Sequence, residues 1–271
     1  MDEKAQDLTK AYSNENFLNS SAARSLRILA EYLEPHSRLS HYGIEDTIVF
    51  MGSARCPPPG KAKKEVKAAK DGDGDLEKAK HRLEISKYYE SAKALAHRLT
   101  DWSKKLPDEH RRFVVCTGGG PGIMEAASQG ASEAKGMNMG LTISIPEKEF
   151  ANRYVTRELG FHFHYFFMRK FWFLYLAKAV IIFPGGYGTL DELFEILTLL
   201  QTRKIRKHLP LVLFGTEYWD QVINFEALVR YGSISPDDLK FMFRTDSVDE
   251  AFDFITQELS KYGLEERGAI L

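Results

Sequence analysis

Three times along this chain a short apolar run ends in a glycine turn. Thr47-Ile48-Val49-Phe50-Met51 leads into Gly52-Ser53-Ala54-Arg55. Phe113-Val114-Val115-Cys116-Thr117 leads into Gly118-Gly119-Gly120-Pro121-Gly122-Ile123-Met124-Glu125. Ala179-Val180-Ile181-Ile182-Phe183 leads into Pro184-Gly185-Gly186-Tyr187-Gly188-Thr189-Leu190-Asp191-Glu192. Nearly continuous, β-branched apolar runs of this length read as strands buried on both faces, the kind found in parallel sheets covered by helices. Further runs at 140–145, 161–166 and 211–214 extend the set. Helical spacing at 21–34, 83–104, 121–134, 168–178, 189–203, 218–231 and 247–262 fills the intervals, with Pro35 expected to stop the first helix. The expected fold class is α/β: a Rossmann-like, doubly wound parallel sheet with helices on both faces, binding ligands at the carboxyl ends of its strands.

With 271 residues, 44% of them apolar, the chain is long enough for one large domain, expected over 21–271 after a polar tail at 1–20. Residues 57–82 break the alternation with three prolines, a lysine-rich stretch and an aspartate–glycine run, and read as an exposed insertion or extended hairpin. A calcium loop counted from Asp71 fails, because position six is Leu76 and position twelve is Arg82. A net charge of −1 implies no general attraction to a nucleic-acid polymer or a membrane. The acidic start lacks a signal-peptide apolar core, and no apolar run reaches membrane-spanning length. Two cysteines, Cys56 and Cys116, read as free thiols of a reduced, cytoplasmic protein.

A glycine turn at a helix start invites a phosphate, because the first backbone N–H groups are unpaired and the helix dipole favours negative charge there. The second turn matches neither the dinucleotide fingerprint nor the P-loop pattern. Glu192 is expected to project from the first turn of the helix after Pro184-Gly185-Gly186, beside the anion site. An alternative reading makes Thr189 the N-cap, with Glu192 folding back in a capping box. His162 and His164 share a strand face, but no third ligand is apparent, so no metal is expected.

The second and third glycine motifs together closely resemble the Lonely Guy (LOG) family: cytokinin riboside 5′-monophosphate phosphoribohydrolases and related nucleotide nucleosidases, often labelled "possible lysine decarboxylase". The resemblance runs over residues 25–262 and looks like the longer bacterial branch. It implies hydrolysis of the N-glycosidic bond of nucleoside 5′-monophosphates without a cofactor. It pairs Glu192 with Arg169 as the catalytic residues, at the family's spacing. It implies that Gly52, Ser53, Thr189, the loop glycines Gly118, Gly119, Gly120, Gly122, Gly185, Gly186 and Gly188, and Glu125 surround the ribose phosphate. On the base side it points to Asn152 and Met168. Arg153 stands where the longer branch often carries proline, a departure that bears on substrate choice. Glu125 is a candidate acid for the leaving base.

A non-catalytic nucleotide- or cofactor-binding carrier on the same fold is the competing class. A decarboxylase would need a lysine in a Schiff-base setting, which the sequence does not suggest. Finally, Phe166, Phe167, Phe171, Trp172, Phe173 and Tyr175 crowd one short helical segment. A helix apolar on most of its surface must be buried on most sides, so a homodimer or higher homo-oligomer is expected.

Overall fold

A computed structural model of the chain describes residues 8–107, 111–145, 151–265 and 268. In chain order the strands are β1 Thr47–Met51, β2 Val114–Thr117, β3 Asn138–Ile143, β4 Gly160–Phe163, β5 Ala177–Ile182, β6 Leu211–Phe214 and β7 Met242–Thr245. The helices are α1 Glu15–Leu18, α2 Arg24–His41, α3 Pro59–Lys70, α4 Leu76–Ile85, α5 Lys87–Ser103, α6 Ile123–Glu133, α7 Phe166–Tyr175, α8 Tyr187–Gln201, α9 Thr216–Val222, α10 Phe225–Arg230 and α11 Val248–Glu258. The seven strands form one sheet in the order β4-β3-β2-β1-β5-β6-β7, and every pairing is parallel. This is the expected doubly wound α/β fold. The strand order reverses between β1 and β5, which opens a crevice at their carboxyl ends.

Alternate residues of each strand feed two cores. Val49, Val180 and Leu213 pack on one face with Trp172 and Leu193. Ile48, Phe50, Ile181 and Val212 pack on the other with Leu95 and Ile255. This two-sided burial explains the continuous apolar runs of the sequence. Strand β7 escaped the sequence reading because it is an edge strand, only partly buried, and carries Arg244 in place of an apolar residue. The two cysteines are free and buried. Among the described residues no helix is long and apolar enough to cross a membrane.

Several expectations need correction, among them the helix expected at 218–231, which is two, α9 and α10, parted at Ile223 and Asn224. The insertion at 57–82 is helical: α3 and α4 form a hairpin whose turn ends where the Asp75 carboxylate accepts the Lys78 N–H at 3.0 Å and caps α4. The expected helix at 83–104 is in fact the end of α4 plus α5, with the break at Ser86. And α2 does not stop at Pro35 but runs on to His41. Proline lacks the N–H that would bond the carbonyl four residues back, which normally leaves that oxygen orphaned. Here the Glu31 carbonyl accepts the Trp172 indole N–H at 2.9 Å instead. The Glu31 carboxylate in turn accepts the backbone N–H groups of His164 (2.8 Å) and Tyr165 (3.2 Å) just ahead of α7. One residue of α2 thus holds α7 at both its start and its middle. Tyr32 adds aromatic contacts to Phe171 and Trp172 at 5.8 and 5.9 Å. On the same helix Leu26, Leu29 and Leu33 are each about half exposed. Residues 1–7 of the expected tail lie outside the described residues, and 15–18 of the remainder are helical.

Trp172→Phe keeps an aromatic ring but strips the proton from this junction. The Glu31 carbonyl is then left without its partner, at a cost of about 1–3 kcal/mol. Chemical denaturation should show that loss with an unchanged slope, whereas Phe171→Leu, at a partly buried neighbour outside the hydrogen bond, should cost less.

Candidate active site

The carboxyl ends of β1 and β5 are joined by backbone. The Ser53 N–H donates to the Pro184 carbonyl at 3.0 Å, and Phe183 N–H donates to Met51 O at 2.9 Å. The second glycine loop docks on the first: the Ile123 N–H, at the start of α6, donates to Ser53 O at 3.1 Å. All three turns therefore meet at one edge, over a cleft of about 610 Å³ lined by Gly52, Ser53, Gly185, Gly186, Gly188, Thr189, Arg169 and Glu192 among others.

The glycines divide into two kinds. Gly122 has φ +71°, and a Cβ there would strike the backbone of Ser53 and Ala54. At Gly118 a Cβ would meet the Arg169 guanidinium and the Met124 sulfur. These two are glycine so that neighbouring chain and a catalytic candidate can pass. Gly52, against Ile123, and Gly185, against Thr189, are close approaches of the same sort. Gly119 and Gly120 are buried and their carbonyls accept from Asn152. By contrast, Gly186 and Gly188 are exposed, with open space where a side chain would be.

Helix α8 starts at Tyr187 with Gly186 as its N-cap and no side-chain cap. The capping-box alternative is thereby excluded: Thr189 is the third helical residue and its side chain is buried against Gly185. The first helical bond runs from Leu190 N–H to Gly186 O at 2.9 Å, so the N–H groups of Tyr187, Gly188 and Thr189 have no helical acceptor. Two open glycines thus stand in front of three unpaired donors, an arrangement that favours negative charge.

Because the helix begins two residues earlier than expected, Glu192 sits in its second turn and not the first. It lies in the cleft wall with part of its surface open. Burial pushes its pKa up to about 7; the Arg169 charge opposes this, Asp191 adds to it, and Lys170 and Glu195 act in smaller, opposite senses. Arg169 comes from α7 and lines the same cleft. Its Nε donates to the Leu141 carbonyl at 2.8 Å and its guanidinium lies 5.0 Å from the Phe173 ring centre. Those two contacts orient the planar group, and its Nη2 lies beside Gly118. Lys170 is held by Asp191 and Glu195, each at 3.1 Å, which ties α7 to α8 on either side of Glu192.

Other candidates fall elsewhere. Asn152 spends its amide on the second loop, donating to Gly119 O at 3.1 Å and Gly120 O at 3.0 Å. Met168 is a core residue, 8% exposed. Glu125 begins α6 but does not line the cleft; its charge is felt by Tyr89 and Arg153. The His162 ring bonds Thr142 Oγ1 at 2.8 Å and Ser144 Oγ at 2.9 Å through its two nitrogens, in agreement with a polar-face residue. The sequence reading missed Arg55, Met124, Ile143, Tyr187, Leu190, Tyr218 and Val222. Arg55 and Tyr187 stand inside the glycine motifs and could have been found there. Tyr218, whose hydroxyl donates to Gly185 O at 2.9 Å, arrives from α9 with no motif to announce it.

Residues 124–255 match the family described as "Possible lysine decarboxylase", a span that contains Arg169, Glu192 and the third glycine loop. This bears out the resemblance to the Lonely Guy family. The chain is 40% identical over 62 residues to a probable cytokinin riboside 5′-monophosphate phosphoribohydrolase, LOGL5, of Oryza sativa subsp. japonica, covering 22% of this chain and 24% of that protein. It is 34% identical over 114 residues to the pyrimidine/purine nucleotide 5′-monophosphate nucleosidase of Escherichia coli (strain K12), covering 39% of this chain and 25% of that one. The chain thus spans about a quarter of the length of the curated relatives it matches. The X-ray structure of TM1055, a structural genomics target, superimposes with a TM-score of 0.50 at 22% identity, covering 78% of this chain and 99% of that one; at this identity it supports the fold alone.

The raised pKa of Glu192 has a stability consequence. The carboxyl ionises near 4.5 unfolded and near 7 folded, so the native state holds the proton more tightly. Its stabilising effect is full below pH 4.5 and is lost as pH rises through 7. Glu192→Gln should therefore raise Tm at pH 8.5, by about 1–3 kcal/mol of stability, and leave it nearly unchanged at pH 4. An equal shift at both pH values would mean that the carboxylate is not desolvated.

Proposed function

We propose that this protein hydrolyses the N-glycosidic bond of nucleoside 5′-monophosphates, of the AMP or cytokinin riboside monophosphate type, to free base and ribose 5-phosphate. The observation that carries the reading is the convergence, in one cleft, of the open α8 N-terminus, the Glu192 carboxylate and the Arg169 guanidinium. The 5′-phosphate binds the unpaired N–H groups of Tyr187, Gly188 and Thr189. That contact places the ribose against Glu192, five residues or fewer along the same helix. As the bond to the base breaks, positive charge builds on the sugar ring. The Glu192 carboxylate stabilises that charge and orients or deprotonates the attacking water. A pKa near 7 suits a group that must be ionised yet basic at neutral pH. Arg169 favours the ionised form and presents hydrogen-bond donors to the ligand. Met124, Ile143, Leu190 and Val222 offer an apolar wall for the base.

Base release from AMP, followed by chromatography, tests the reading. Glu192→Gln should abolish release while ribose 5-phosphate still binds, and Arg169→Ala should lose at least about 100-fold in turnover. The wild-type rate should climb as pH rises through 7, because only the carboxylate works. Retention of AMP without any release would favour the carrier class. Adenosine, lacking the phosphate, should lose most of the turnover seen with AMP, since the helix N-terminus then has nothing to hold.

We also propose that the protein is a homodimer. Within the subunit, α2 and its neighbours cover Phe171, Trp172, Phe173 and Tyr175 better than the sequence suggested. Phe166 and Phe167 remain about half exposed, as do Leu26, Leu29 and Leu33 on α2. An apolar surface of this kind fits a second copy. Light scattering at micromolar concentration should give twice the chain mass of 30.9 kDa. A Phe166→Ser/Phe167→Ser variant should move toward the monomer.

A further inference from the structure

The cleft holds a second cation besides Arg169. Arg55 lines it from the loop after β1, is exposed, and has no carboxylate partner among the described residues. Its position is built. Its backbone N–H donates to the Ser53 hydroxyl at 3.0 Å, and Ser53 N–H in turn donates to Pro184 at the head of the third glycine turn. Arg55 therefore stands two residues from the point where the first and third loops touch, beside the open N-terminus of α8. The loop is also held from outside. The Arg55 carbonyl accepts from Arg82 Nη1 of α4 at 3.2 Å. Arg82 is itself fixed by a two-pronged pair with Glu65 of α3, at 2.7 and 3.2 Å. The helical insertion is thus connected to the cleft loop through Arg82, and again where the Cys56 thiol donates to the Ile85 carbonyl at 3.2 Å.

The anion site also lacks donors that the sequence seemed to promise. The N–H groups of Ser53, Ile123 and Gly119 are already spent on Pro184, Ser53 and Thr117. The start of α8 stays open to a phosphate, but it carries a partial charge only. A phosphate monoester brings close to two negative charges, and a guanidinium meets such a group with two parallel hydrogen bonds.

We infer that Arg55 is a ligand of the substrate's phosphomonoester, and that the α3–α4 insertion serves to hold Arg55 at the cleft rim through Arg82 and Glu65. This rests on the proposed nucleotide cleft, and its test does not need hydrolysis. Ribose 5-phosphate is titrated by calorimetry into the full-length protein, with ribose as the control. Arg55→Ala should weaken ribose 5-phosphate binding at least ten-fold, steepen no further with salt, and leave the melting temperature unchanged; Arg55→Lys should recover part of the affinity. Arg82→Ala should weaken binding about three-fold or more with the fold intact, and Arg82→Lys, which cannot span Glu65 and the carbonyl together, should not rescue it. If AMP is hydrolysed, Arg55→Ala should lower kcat/KM at least ten-fold, because the phosphate contact helps to place the ribose against Glu192. Binding within two-fold of wild type in Arg55→Ala overturns the inference, as does a wild type that does not bind ribose 5-phosphate. Wild-type binding lost in Arg55→Ala, with no base released from AMP by either protein, upholds Arg55 and rejects the hydrolase. Normal binding in a folded Arg82→Ala removes the insertion from the account.

Discussion

The pairing of β1 with β5 is the constraint on which the rest hangs. Its register sets Phe50 beside Ile181 and Met51 beside Ile182, so both strands end at the same height. The two loops that follow must then leave side by side, and the Ser53–Pro184 bond fastens them. The glycine turns of the cleft take their positions from that junction. The α8 N-terminus follows one loop directly, and the second glycine turn docks on the other through Ile123. Parallel strands whose connections lie on opposite faces leave no other place for such a crevice.

The opposite edge of the sheet is tied by charge. Asp46, just before β1, is fully buried and pairs with Arg112, with Lys178 of β5 3.7 Å away. Burial lifts the Asp46 pKa to about 6, with Arg112 pulling against it. Arg112 also donates to the Gly263 carbonyl at 2.7 Å, fastening the segment after α11 under the amino end of the sheet. Removing one partner from such a cluster strands a charge in the interior, which is why it fixes the arrangement more firmly than its net energy would suggest. The amino edge is thus tied by paired charges, while at the carboxyl edge the first N–H groups of α8 have no helical acceptor.

Glu192 shows how these features combine in one residue. The helix that presents it is capped by no side chain, its flanks are tied by Lys170 to α7, and its own carboxyl is desolvated enough to titrate near neutrality. A carboxylate at this depth is a cost to the fold, which is tolerable when the group has work in the cleft.

Much was legible in the sequence. Two-sided burial writes itself as unbroken apolar runs, so β1, β2, β3, β5 and β6, the α/β class and the three turns at one edge could be read directly. Glu192 and Arg169 were legible through their motif and spacing, and the structure brings both to the cleft. What depends on a distant partner was not. Pro35 reads as a helix stop until Trp172 supplies the missing donor from 137 residues downstream in number (172 − 35). Gly118 reads as a phosphate contact until the Arg169 side chain is seen passing it. Local periodicity determines which segments are strands and helices, because it records only how each segment buries itself. Which glycine faces a ligand, and which merely makes room, was decided by tertiary packing alone, because it depends on side chains that meet only after the sheet has formed.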